Sequence, residues 1–235
     1  MKIRIKFRKY GTMKFIGHLD VMRYFQKAIR RADVDVCYSG GFSPHQIMSF
    51  AAPLGVGITS RGEYVDIEVS STKDSETMKK CLNGVMSEGF EVVSYRGLPD
   101  DAANAMSIVG AGDYTLAFRP GYEPEDMDKE TWFQGLIAFF ERPSVMVTKK
   151  TKRGEKEMDL KPLVYELRIC PEGDGEMEGP RLFMKISAGS AANVKPEQVL
   201  DAYYGFLGKE RPPFAFMVQR EEVYADRASD AEKEA

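Results

Sequence analysis

The sequence predicts an α+β protein made of two tandem ferredoxin-like units, each of βαββαβ type with an antiparallel sheet. Two observations carry that expectation. Apolar periodicity alternates between strand-like and helix-like spacing, and in each half the order is strand, helix, strand, strand, helix, strand. A polar break at Leu98–Asn104, containing Pro99, Asp100 and Asp101, separates the halves. The expected units are therefore residues 1–100 and 101–224, followed by a charged, alanine-rich tail, 225–235, expected to be disordered.

Residues 2–9 alternate Lys2, Arg4, Lys6 and Arg8 with Ile3, Ile5 and Phe7, the pattern of a strand with one buried face. From about His18 to Arg31, Leu19, Met22, Phe25 and Ile29 recur at helical spacing, and Val21 and Ala28 widen the stripe. Arg23, Lys27 and Arg30 form a second, basic stripe on the same helix. Strands are expected over 46–51 and 62–70, the latter on Tyr64, Val65, Ile67 and Val69. A helix over 74–87 has Asp74 or Ser75 as its cap, and 90–97 forms a fourth strand.

In the second half a strand over 106–118 leads to a helix near 124–140, where Pro124, Glu125 and Asp126 suit an N-terminus. Strands near 143–149, 160–170 and 181–187 follow. A helix over 196–207, with Pro196 at its start, and a strand near 214–224 complete a second unit with an extra hairpin. No residue-level repeat relates the halves, so the duplication rests on element order alone.

At 235 residues, 43% hydrophobic and 29% charged, the chain can bury a core in each half. Its longest apolar runs fall far short of the ~18 residues that span a bilayer. The opening MKIRIKFRKY alternates charged and apolar residues where a signal peptide has a continuous apolar core. A cytoplasmic protein without membrane association is expected. Cys37, Cys81 and Cys170 are widely separated, so reduced thiols are expected, with no resident metal or cofactor.

Charge is unevenly placed. The first 31 residues hold ten Lys/Arg against one acid, Asp20, in a chain whose net charge is −3. A concentrated positive field beside the only two histidines, His18 and His45, points to a polyanion, with RNA as the expected partner. Lys6, Arg8, Arg23, Lys27, Arg30 and Arg61 are candidate contacts. Lys150, Lys152 and Arg153, at a basic hairpin tip, could follow a phosphate backbone.

The segment GGFSPHQIMSFAAPLGVG, Gly40–Gly57, is rich in residues that fix or free the backbone. It reads as a rigid loop presenting Ser43 and His45 to an anion, or as a structural turn with a hydrogen-bonded histidine. His18 and Asp20 open the first predicted helix; Asp20 suits the helix dipole, and His18 could cap it. The sharper expectation is that His18, Asp20, Ser43 and His45 converge on one pocket bordered by Arg23 and Arg61, with the imidazoles as acid and base.

Over residues 17–69 the chain strongly resembles the radical SAM-linked protein family, bacterial proteins fused to or encoded beside radical SAM enzymes. The resemblance rests on His-Leu-Asp-x-x-Arg from His18, Gly-Phe-x-Pro-His from Gly41 and Ser-Phe-Ala-x-Pro-Leu from Ser49. It continues more weakly through Asp159–Leu167 and Gly189–Leu200. Many members read Gly-Phe-Asn-Pro-His-Pro where this chain has Ser43 and Gln46. The resemblance implies a radical SAM enzyme as partner, plausible in RNA metabolism. The first reading is therefore an accessory RNA-binding protein acting with that enzyme in RNA modification or processing. Two others are a metal-independent endoribonuclease using His18 and His45 as catalytic groups with Asp20, and a protein-only adaptor.

Overall fold

The computed structural model describes residues 1–151, 154–170, 177–189 and 192–226. Lys152, Arg153 and the tail from 227 lie outside the described residues, as does most of the acidic stretch 172–178. The chain forms a mixed α+β structure of two compact units, Met1–Gly110 with Arg220–Ala235, and Ala111–Gln219. The division falls after Gly110, beyond the polar break, and the first unit also takes residues from the end of the chain.

The first unit runs β1 (Lys2–Lys9), α1 (His18–Arg31), β2 (Met48–Phe50), β3 (Thr59–Glu68), α2 (Ser75–Asn83), β4 (Phe90–Leu98) and the single turn α3 (Ala105–Ile108). β1 lies between β4 and β3, antiparallel to both, and β2 is antiparallel to β3. Ile3, Ile5 and Phe7 alternate inward and are almost wholly buried, with Phe25, Ile29, Met78 and Leu82 of α1 and α2 in the same core. Phe7 and Phe25 set their rings 4.4 Å apart. Lys2, Arg4, Lys6 and Arg8 therefore emerge on the face of the sheet away from α1 and α2.

The second unit contains most of β5 (Val109–Phe118), then α4 (Lys129–Phe140), β6 (Met146–Thr151), β7 (Gly154–Asp159), β8 (Val164–Cys170), β9 (Arg181–Ser187) and α5 (Pro196–Phe206). β5 and β8 flank β9, antiparallel to it, and β6 with β7 makes a separate two-stranded hairpin. β10 (Phe216–Ala225) begins in this unit, next to β5, and its residues from Arg220 belong to the first unit, next to β3. Trp132 packs edge-on against Tyr203 at 4.9 Å in a core dominated by aromatic and aliphatic side chains.

Side-chain caps set the starts of α2 and α4, whereas α5 starts at Pro196 as expected. α4 begins at Lys129, several residues after Pro124, because Asp128 accepts from the Thr131 backbone N–H at 2.8 Å. Asp74 caps α2 in the same way, through Thr77 at 3.0 Å. Residues 106–108, expected to begin a strand, belong to the turn α3.

Gly62 marks a close backbone approach within the first unit. A Cβ there would lie 2.8 Å from the Glu221 carbonyl oxygen and 3.0 Å from Glu222 Cα. Gly62→Ala should push β10 from β3 and cost about 1–3 kcal/mol, as overpacking does. Urea unfolding would measure the loss, and an unchanged midpoint and slope would refute the close approach.

Candidate functional site

The motif residues lie in the first unit, on and around α1. Gly17 occupies the N-cap position, so His18 is the first helical residue and no side chain caps the helix. The His18 ring meets Phe50 edge-on at 5.3 Å and lines a small cavity with Phe7, Lys9 and Glu63. Burial holds its pKa below the ordinary imidazole value; Glu63 opposes that shift and Lys9 adds to it.

Beneath His18 is a buried polar cluster. Lys9, 1% exposed, donates to the Ile16 carbonyl at 3.0 Å. Burial lowers its pKa, against the attraction of Glu63. Arg220, 3% exposed, donates through Nε and Nη2 to both oxygens of Glu63, at 2.7 and 2.5 Å, and also reaches the Ala52 carbonyl at 2.8 Å. One carboxylate thus stands among two buried cations and a neutral-favouring imidazole. Sequence reasoning missed Lys9, Glu63 and Arg220. For two of them a signal existed: Lys9 shares the inward parity of Ile3, Ile5 and Phe7, and Glu63 that of Val65 and Ile67.

The loop before β2 is closed on itself. Ser39 N–H donates to the His45 carbonyl at 2.8 Å, and His45 N–H donates to Ser39 Oγ at 3.1 Å. The same hydroxyl meets His45 Nδ1 at 2.8 Å. Gly41 makes the turn with φ +98°, a conformation open to glycine. At the loop's base Gln46 is buried and donates through Nε2 to the Gln26 carbonyl of α1 at 3.2 Å. Between these anchors Phe42 is fully exposed, and Ser43 and His45 are exposed beside it.

The two histidines have separate partners. His45 is held by Ser39, His18 by Phe50 and the buried cluster, and no hydrogen bond joins the imidazoles. Asp20 pairs with Arg23 at 3.2 Å on the exposed face of α1, not with His18. Arg61 faces Glu221 at 3.8 Å.

The predicted basic residues divide between opposite faces. Arg4 forks onto Asp66 at 2.8 and 2.9 Å, Lys6 meets Glu222 at 2.5 Å, and Arg8 meets Glu91 at 3.2 Å. These lie on the sheet face away from α1, so strand and helix bases do not form one continuous surface. On α1, Arg23, Lys27, Arg30 and Arg31 are exposed, and Lys27 and Arg31 make no ion pair among the described residues. Lys150 is placed only as a backbone position in β6, opposite Glu155. Lys152 and Arg153 lie outside the described residues.

Among the described residues no three His, Cys, Asp or Glu side chains are grouped to hold a metal, and no helix is long and apolar enough to cross a membrane. A cleft of about 550 Å³ in the second unit, walled by Phe139, Arg142 and Phe206, contains none of the predicted site residues.

Fold and site define a mixed α+β protein whose first unit sets an exposed basic helix and an aromatic-tipped loop above a buried ion cluster. The chain belongs to the family described as an uncharacterized protein conserved in bacteria (DUF2344), whose model matches residues 2–196. No curated protein matches it.

Two outcomes are expected from the cluster. Glu63→Gln leaves Arg220 and Lys9 buried without a counter-charge and should cost about 3–5 kcal/mol, whereas Glu63→Leu with Arg220→Met removes the uncompensated guanidinium and should recover part of it. Equal losses in both variants, by urea unfolding, would contradict the pairing. For His18 the folded pKa is depressed, so below the ordinary value of about 6.5 the unfolded chain binds the extra proton. Stability is then complete above that pH and declines as pH falls towards the folded pKa. His18→Gln should flatten that decline, measured between pH values of about 7.5 and 5.5.

Proposed function

We propose that this is a cytoplasmic RNA-binding accessory protein acting with a radical SAM enzyme in RNA modification or processing. The observation that carries the reading is the pairing of an exposed basic stripe on α1 with the fully exposed Phe42 on a loop anchored to that helix through Gln46 and Gln26. Guanidinium and ammonium groups follow phosphates, and an exposed ring offers a face on which a base can stack. The radical SAM connection is supported by the sequence motifs from His18 to Leu54, which resemble those of the radical SAM-linked family. We further read each unit as ferredoxin-like. In favour of this, β4-β1-β3-β2 in the first and β10-β5-β9-β8 in the second follow the same relative order. The β6–β7 hairpin is then an insertion in the second unit.

The test uses a short single-stranded RNA across a salt series. Arg23→Glu with Lys27→Glu should weaken binding at least about tenfold and flatten the salt slope by about 1.4, at roughly 0.7 per phosphate contact. Phe42→Ala should weaken binding by about 1–3 kcal/mol with the slope unchanged, since stacking carries no counterion release. Wild-type affinity in the folded double variant would reject the helix as the RNA surface. Co-purification of a radical SAM enzyme from native cells tests the partner.

A further inference from the structure

On the sheet face of the first unit away from α1 and α2, most charged side chains are paired. Asp66 accepts the fork of Arg4 and also the Ala105 backbone N–H, at 2.9 Å. Lys2 donates to the Ala102 carbonyl at 2.7 Å, so the segment leading into α3 is tied down over one part of the face. Glu222 takes both Lys6 and the Tyr64 hydroxyl, the latter at 2.7 Å. Apart from Glu68, opposite Lys2, the group outside this pattern is Arg96. It is exposed and lies directly opposite Arg4 in the β1–β4 register, and it has no hydrogen bond or ion pair among the described residues.

Two arginines directly opposite each other repel, and Asp66 neutralises only one. Asp66 occupies Nε and Nη2 of Arg4, leaving Nη1 available. Both arginines line a cleft of about 270 Å³ whose other walls include Ala51, Tyr64, Ile108 and Tyr224. Planar donor forks match the oxygens of a phosphate, and tyrosine rings with aliphatic neighbours match a planar heterocycle. The volume lies just under the usual range of small-molecule sites, which limits the occupant to a single small ligand.

We propose that this cleft binds a nucleoside monophosphate unit, with the phosphate on Arg96 and Arg4 and the base against the tyrosine rings. The site is on the opposite sheet face from the α1 stripe and does not rest on the RNA reading. The unit could be a free nucleotide or the 5′ end of an RNA, and the two sources share this chemistry.

Calorimetric titration of the full chain with AMP and UMP should show binding, with a matching rise in Tm. Adenosine, lacking the phosphate, should not bind, and inorganic phosphate should bind more weakly than AMP. Arg96→Ala should weaken AMP binding about tenfold or more, because a charge-assisted fork is lost. Arg96→Lys should recover only part of it. Tyr224→Ala should lower AMP affinity while leaving that of inorganic phosphate unchanged. Arg23→Glu with Lys27→Glu should leave AMP binding intact, which separates this site from the helix surface. Displacement of AMP by a 5′-phosphorylated trinucleotide would assign the RNA end as the source; failure to displace it would assign the free nucleotide. No binding of AMP or UMP at millimolar ligand, or AMP affinity unchanged in folded Arg96→Ala, would overturn the proposal.

Discussion

The fork of Arg220 onto Glu63 is the constraint on which the first unit is built. The two residues are 157 positions apart, and both are almost completely removed from water. A carboxylate so placed is tolerable only with its counter-charge in good geometry. The end of the chain must therefore return to β3 before that strand's inner face can be sealed. Other features follow the same path: Gly62 lets β10 come close, and Glu222 reaches Lys6 and Tyr64. The first unit is accordingly discontinuous, and residues 1–110 by themselves lack the guanidinium that Glu63 requires.

That arrangement also determines what becomes of the basic N-terminal segment. A block of like charge in sequence is divided into three electrostatic environments. Lys9 turns inward to a carbonyl and the edge of the Glu63 pair. Arg4, Lys6 and Arg8 turn to the other sheet face and meet carboxylates from three different strands. The α1 stripe keeps its positive charge exposed, met only by the solvent-exposed Arg23–Asp20 contact among the described residues, and such exposed pairs contribute little. Polyanion affinity, if set by charge, is thus concentrated on far fewer groups than composition suggests.

The histidine motifs have local physical roles independent of any chemistry. His45 closes its loop through both main-chain and ring contacts with Ser39, and this closure projects Phe42 into solvent. His18 covers the buried cluster at the start of α1, where burial favours its neutral form. Gln46 secures the loop to α1 through an amide donor.

Local pattern sufficed where an element's own side chains decide its state. The inward parity of β1, the bounds of α1, the Asp74 cap and the alternation of strands and helices all follow from neighbours within a few residues of one another. The true start of α4 was equally local, in Asp128 and Thr131, but proline drew the expectation earlier. Pairing across long separations was not legible. Nothing in Glu63 announces a partner at Arg220, and nothing in Lys6 announces Glu222, because a charge's partner depends on which strands become neighbours. By itself the sequence determined the α+β class, the helix carrying the exposed bases and the loop carrying Phe42. Only the tertiary structure decided which charges are buried, neutralised or left exposed, since desolvation and ion pairing depend on strand order and facing, which a one-dimensional pattern does not contain.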